Sequence, residues 1–214
     1  MDKDNSQKAW REKWDPQNAR FINYNLLKDV RYKNEPVVPR ILNEDTQGHV
    51  NVEMLPGLDY EDILETSDSE ISLKKKLQIA KIVVEQFEEI DRAGFVLFDR
   101  NSSNIRVLNW EDNISVRQID LEIIYDKQTD ALYTSSMDDR EFCERLISSC
   151  RSKGLDFWSE AIKDIAIQAS EAADHSKNKK IVEIMEKFRF QGIDPQSISL
   201  EKFKKDLEKA IELS

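Results

Sequence analysis

Three polar residues in the middle of the chain have the types and spacing to hold a phosphorylated ligand through a divalent cation: Asp99, Asn104 and Asp120. They stand in GFVLFDRNSSNIRVLNWEDNISVRQIDLE, residues 94–122. That stretch reads as a short strand, a polar loop, two more short strands and a closing aspartate. Phosphoryl transfer asks for positioning, a divalent metal to neutralise phosphate oxygens, and a carboxylate near the attacking hydroxyl. Magnesium prefers oxygen ligands and usually takes only one or two from protein. An aspartate, an amide at D-x-x-x-x-N spacing and a second aspartate after a hairpin supply those groups. Taken singly, each is also an ordinary turn or strand-end residue, favoured there by its local hydrogen bonds.

The elements that must position these residues are legible on both sides. Asp15-Pro16 reads as an N-cap followed by proline at the first helical position, opening a helix through Phe21, Tyr24, Leu27 and Val30. Val37 to Leu42 and the alternating Val50, Val52 and Met54 form a hairpin around a tip at 43–48. Leu55-Pro56-Gly57 breaks the second strand, and Asp59–Leu64 forms a short helix. A long helix follows with Ser72 as its cap, carrying Leu73, Leu77, Ala80, Val84, Phe87 and Ile90 on one face. Ala93-Gly94 stops it. Strands are expected at 95–98, 105–108 and 116–119, then helices near 138–151, 155–173, 176–189 and 199–213. The fold class is therefore α+β, with a few small strands and a helical bulk towards the C-terminus.

Composition bounds the possibilities. A chain of 214 residues with 39% hydrophobic content makes one domain, or one large lobe with a smaller one. The net charge of −10 argues against a nucleic-acid partner, which needs a basic face. Cys143 and Cys150 fall on a similar face of one helix, two turns or about 10 Å apart, and read as two buried or half-buried thiols. With His49 and His175 they are too few for a structural zinc site. His175 reads as an exposed turn, and Lys74-Lys75-Lys76 as a solvated helix start. No apolar run approaches the roughly 18 residues of a membrane span, and MDKDNSQKAW lacks the form of a secretory leader. The expectation is a cytoplasmic protein, no membrane partner, with export as an effector the alternative.

Leu97-Phe98-Asp99-Arg100-Asn101-Ser102-Ser103-Asn104, followed by Ile119-Asp120-Leu121-Glu122, resembles the protein-kinase-like superfamily. That family's catalytic loop reads H-[RG]-D-x-x-x-x-N and precedes a D-F-G or D-x-E segment. The resemblance implies Asp99 as catalytic base and Asn104 and Asp120 as magnesium ligands. Val38–Leu42 looks like the strand after the family's regulatory helix. Val52 to Gly57 looks like the last N-lobe strand and the hinge, where Glu53, Met54 and Leu55 would hold adenine. The likeness covers about 17–124. It implies a reduced N-lobe, residues 1–55, of one helix plus a short hairpin. A helical C-lobe, residues 56–214, would carry the catalytic-loop-like segment 95–122. The implied cofactors are ATP and Mg2+.

The departures matter as much. Leu97 replaces the usual histidine, Asn101 stands where many members carry a lysine, and Leu121-Glu122 replaces Phe-Gly. No Ala-Pro-Glu follows, and 126–136 takes the place of an activation segment. The first glycine is Gly48, so no glycine-rich loop and no strand lysine precede the first helix, and Asn23 falls at the position of the family's helix glutamate. The resemblance thus implies phosphoryl transfer to a protein or small-molecule hydroxyl, aided by a partner that completes the N-lobe. The alternative is an inactive pseudokinase acting as a binding or regulatory module, and a third reading is an unrelated helical adaptor. Trp10 and Trp14, one turn apart, either pack within the chain or join a partner-docking surface there.

Overall fold

The helix over Leu73–Arg92 organises the molecule. Its apolar stripe of Leu73, Leu77, Ala80, Val84, Phe87 and Ile90 is buried along its whole length. The computed structural model describes residues 9–13, 19–44, 49–134, 137–153, 162–191 and 200–214. Within them the chain is α+β, with seven α-helices and small antiparallel sheets. In chain order these are β1 (Ala9–Lys13), α1 (Ala19–Leu27), β2 (Arg31–Tyr32), β3 (Glu35–Pro36), β4 (Ile41–Glu44), β5 (His49–Glu53), β6 (Leu58–Asp59), α2 (Tyr60–Glu65) and α3 (Leu73–Arg92). Then come β7 (Phe95–Leu97), β8 (Ile105–Asn109), β9 (Ser115–Gln118), β10 (Ile124–Asp126), β11 (Ala131–Tyr133), α4 (Met137–Lys153), α5 (Lys163–Asp174), α6 (Lys179–Gln191) and α7 (Leu200–Leu213).

The N-terminal region is more than a helix and a hairpin. β4 and β5 pair as expected, but β1 adds to the far side of β5, with Trp10 opposite Val52, so the sheet has order β1-β5-β4. Residues 9–13 carry no alternating apolar pattern of their own. Backbone pairing to β5 makes them a strand, and that is invisible in local sequence. A second hairpin, β2–β3, was not expected either. Its turn residues Lys33 and Asn34 have φ of 50° and 68°, the mirror-image turn that suits a two-residue hairpin. The expected cap Asp15-Pro16, the tip at 45–48 and the helix start at 155–161 lie outside the described residues. Ser72 sits at the N-cap of α3, but its side chain makes no capping hydrogen bond.

Val37-Val38, expected as strand, is instead a buried bend. The Val37 carbonyl accepts from the Gln118 amide at 2.7 Å, which ties this bend to β9. Arg117 donates to Glu35 at 2.7 Å and holds the β2–β3 hairpin on the same strand. Gln86 of α3 donates to the Val116 carbonyl at 2.9 Å and accepts from Gln118 at 2.8 Å. β9 is thus fixed from the N-terminal side and from α3 together.

One hydrophobic core runs from Leu27 and Val38 through α3 to Ile165, Phe188 and Phe203. Burying each such side chain contributes about 1.5–3 kcal/mol. Phe188 and Phe203 meet edge to face with ring centroids 4.8 Å apart, locking α6 to α7. Lys204 reaches Glu88 at 2.8 Å and keeps α7 against α3. A second cluster of Val96, Phe98, Ile123, Tyr125, Cys143 and Ile147 packs α4 on the other face of β7 and β10. Residues 126–134 complete the β10–β11 hairpin, whose β10 also pairs with β7, and 135–136 lie outside the described residues.

Lys76 departs from its expected solvated role. It is 4% exposed, and its ammonium donates to the Leu64 and Thr66 carbonyls at 3.2 and 2.6 Å and to Asp68 at 3.0 Å. It closes the C-terminus of α2, where carbonyls lack helical partners. His175 is exposed at the end of α5, and both cysteines are buried thiols outside any disulfide. Among the described residues no helix is long and apolar enough to cross a membrane.

Candidate functional site

Residues 94–122 form a sequence of strand, loop, hairpin and return. Gly94, at φ +97°, ends α3 and turns the chain into β7. The loop after β7 tightens into a 3-10 turn over Ser102–Asn104. Asn101 caps that turn: its amide oxygen accepts from the Asn104 backbone N–H at 3.1 Å and from the Ser103 hydroxyl at 2.6 Å. β8 and β9 then pair from Ile105–Gln118 to Asn109–Ser115. The Ile119 amide donates back to the Asn104 carbonyl at 3.0 Å. This return places Asp120 beside the loop it left.

Five described non-glycine residues have positive φ: Lys33, Asn34, Asp99, Asp120 and Asp130. Lys33, Asn34 and Asp130 lie in hairpin turns. The others, Asp99 at 55° and Asp120 at 51°, are the two aspartates singled out from sequence. A left-handed conformation costs a non-glycine residue roughly 1–2 kcal/mol, least for Asp and Asn. Such strain persists where surroundings over-determine it, and it clusters at functional sites.

Asn104 and Asp120 both line a cleft of about 370 Å³. Val52, Glu53 and Leu55, at the end of β5 and just beyond it, line the same cleft. Tyr24 of α1 and the pair Arg106 and Asp59, ion-paired at 2.9 Å, also line the cleft. The volume falls within the range of small-molecule sites, roughly 300–1,000 Å³. Met54, between Glu53 and Leu55, is 43% exposed and is not part of the lining.

Asp99 stands outside the lining, on the side of α4 and α5. Its charge helps raise the Asp164 carboxyl on α5, chiefly shifted by burial and opposed by Lys163. Burial, then Asp139 and Asp99, pushes the Cys143 thiol of α4 up to about 11. The Asp99 carbonyl accepts from the Asn104 amide nitrogen at 2.9 Å. Asn104 therefore spends its NH2 group on the loop, and its amide oxygen is the atom a cation would meet.

Two residues that bind the site together were missed as such. Arg100 is 1% exposed, and its guanidinium spans from the Phe98 carbonyl to those of Ile119 and Asp120. Burial lowers its pKa to about 10 against the opposing charges of Asp99 and Asp120, so it stays cationic at neutral pH. Asn23 of α1 is fully buried and donates to the Leu121 carbonyl at 2.7 Å. Its position, where the resemblance puts a glutamate, thus touches the Asp120 segment. Nothing in the order Asp-Arg-Asn signals a buried arginine, whereas Asn-Ser-Ser-Asn is a legible turn signal.

The donor set is of the kind magnesium takes: one carboxylate, Asp120, and one amide oxygen, Asn104, line the same cleft, with the remaining ligands left to phosphate oxygens and water. Among the described residues no group of three His, Cys, Asp or Glu side chains could hold a metal alone, so phosphate oxygens would have to complete the shell. The fit to phosphate itself is weaker. Arg106 is the sole cation among the described lining residues, and Asp59 already engages it. No protein-family model matches the chain, and no curated protein matches it.

Proposed function

We propose that this is a kinase-like protein whose cleft binds a Mg-nucleotide. One observation carries the reading: Glu53 and Leu55, at the end of β5 and just beyond it, line the same cleft as Asn104 and Asp120, about fifty or more residues further along the chain. The order of strand, capped loop, hairpin and returning aspartate, with β10 running back beside β7, supports it. Adenine would lie along the backbone at Glu53–Leu55, and the phosphates would lie towards Asn104 and Asp120. Bound magnesium would neutralise phosphate oxygens there.

Transfer would then proceed by attack of an acceptor hydroxyl oxygen on the terminal phosphorus. The bond from that phosphorus to the bridging oxygen breaks, and ADP leaves. Asp99 accepts the hydroxyl proton. Its place beside the cleft, on the α4–α5 side, suits an acceptor that enters from that side. A partner at β1, the strand that contains Trp10, would supply the missing cationic grip on the phosphates.

A second reading, a pseudokinase that binds nucleotide or partner without turnover, is favoured by the cleft's charge. Among the described residues, Glu53, Asp59 and Asp120 line it with a single cation, Arg106, already paired to Asp59. Removing a phosphate-binding cation from such a site costs transition-state stabilisation.

Thermal unfolding with ATP, with and without magnesium, tests the binding claim. A ligand at a hundredfold excess over its Kd stabilises by about 2.7 kcal/mol, or roughly 5–11 °C for a chain of this size. A magnesium-dependent shift is expected in the wild type and not in Asp120→Ala. Phosphate release or transfer over hours then separates the two readings.

A further inference from the structure

Arg100 has no task in the reading just given, and core packing does not explain it. Among the twelve largest fully buried side chains of the described residues it is the only charged one. A buried guanidinium is costly, and an apolar side chain of similar volume fills such a site more cheaply. Its hydrogen bonds go to carbonyls on two separate segments: Phe98 at 3.2 Å on the loop side, Ile119 at 2.9 Å and Asp120 at 2.7 Å on the returning strand. These segments carry Asp99 and Asp120, the two aspartates held at positive φ outside hairpin turns. The planar fork matters, because an ammonium is a point charge that cannot present several donors in fixed directions.

We propose that Arg100 is the positioning residue of the site. Its guanidinium clamps the loop after β7 to the strand end after β9, and so sets where the Asp120 carboxylate stands relative to the Asn104 amide oxygen. The inference rests on the nucleotide reading for its functional half and on the clamp itself for its structural half. Arg100 touches neither nucleotide nor acceptor. Its contribution goes through the backbone of Asp120.

The test uses the full chain as wild type, Arg100→Lys and Arg100→Gln. Lysine keeps the charge and loses the fork, and glutamine keeps some donors and loses the charge. Two readouts are taken on each. Hydrogen exchange follows the amides of Ile119 and Glu122, which donate to Asn104 and Asp120, with the amides of α3 as internal reference. Titration calorimetry compares Mg-ATP with adenosine.

The expected result is a tenfold or greater loss of protection at Ile119 and Glu122 with α3 unchanged. Mg-ATP affinity falls at least tenfold in both variants, and adenosine affinity stays within twofold. Unchanged protection and unchanged Mg-ATP affinity overturn the proposal with nucleotide binding intact. Loss of protection in α3 together with the loop also overturns it, because Arg100 is then a general fold determinant. Wild type that binds no nucleotide, with the local exchange effect present, overturns the functional half and the nucleotide reading together, leaving only a structural clamp.

Discussion

Replacing Gly57 by alanine is the sharpest structural perturbation of the cleft. Gly57 follows Leu55-Pro56 and precedes β6, at φ +98°. A methyl group there would stand 2.0 Å from the Val107 carbonyl oxygen and 2.9 Å from the Leu108 Cα. Both are backbone atoms of β8, and Val107 is held on two sides by pairing with Leu58 and Val116. No rotamer change relieves such a contact, so β8 or the 55–59 segment must shift. The positive φ adds about 1–2 kcal/mol and the forced overpacking about 1–3 kcal/mol. Together they predict a loss centred on ~3.5 kcal/mol, or about 10 °C in Tm for a domain of this size.

Gly94→Ala is the control. Its φ is also positive, at +97°, but the added methyl would meet the side-chain end of Gln128 at 2.8 Å, which can swing away. About 1–2 kcal/mol is expected there. Urea denaturation at pH 7 followed by circular dichroism gives both values. Gly57→Ala must cost clearly more than Gly94→Ala. A loss under about 0.5 kcal/mol at Gly57, the level of a neutral surface change, would refute the close approach of the 55–59 segment to β8.

Two further outcomes follow from buried polar groups. Lys76→Met leaves the Leu64 and Thr66 carbonyls and Asp68 without their shared donor and should cost about 2–4 kcal/mol by the same denaturation assay; a loss below 0.5 kcal/mol, roughly the scale of a surface change, contradicts the bonding described. The Cys143 thiol is held neutral in the fold up to about 11, whereas the unfolded chain releases that proton near pH 8.5, so stability falls as pH rises between those values. Cys143→Ala should flatten the fall between about pH 8.5 and 9.5, before tyrosines titrate, and an unchanged slope removes Cys143 as its source.

The residues show how far local pattern reaches. The stripe from Leu73 to Ile90 dictates its own helix, because period and length suffice and tertiary context agrees. The strand of Val50 and Val52 is legible for the same reason, and so is the D-x-x-x-x-N loop between two short apolar runs. β1 is not legible, because its identity lies in the backbone of β5 rather than in Ala9–Lys13. Lys76 and Arg100 both look like surface residues in sequence. Each is buried because carbonyls at the ends of other elements need donors, a need that appears only when those ends meet. Most of the site's parts could be named from sequence. That Glu53, Leu55, Asn104 and Asp120 line one cleft depends on how the end of β5, the 3-10 turn and the end of β9 meet, and only the structure supplies that.

The central claim is that Asn104 and Asp120 hold a metal-bound nucleotide in the cleft beyond β5. Calorimetric titration of Mg-ATP into the full chain and into Asp120→Ala tests it most directly. A single magnesium-dependent site in the wild type, weakened at least tenfold (roughly 1.4 kcal/mol) by Asp120→Ala, is the predicted result. Absence of binding up to about 1 mM, or equal affinity in both proteins, contradicts it.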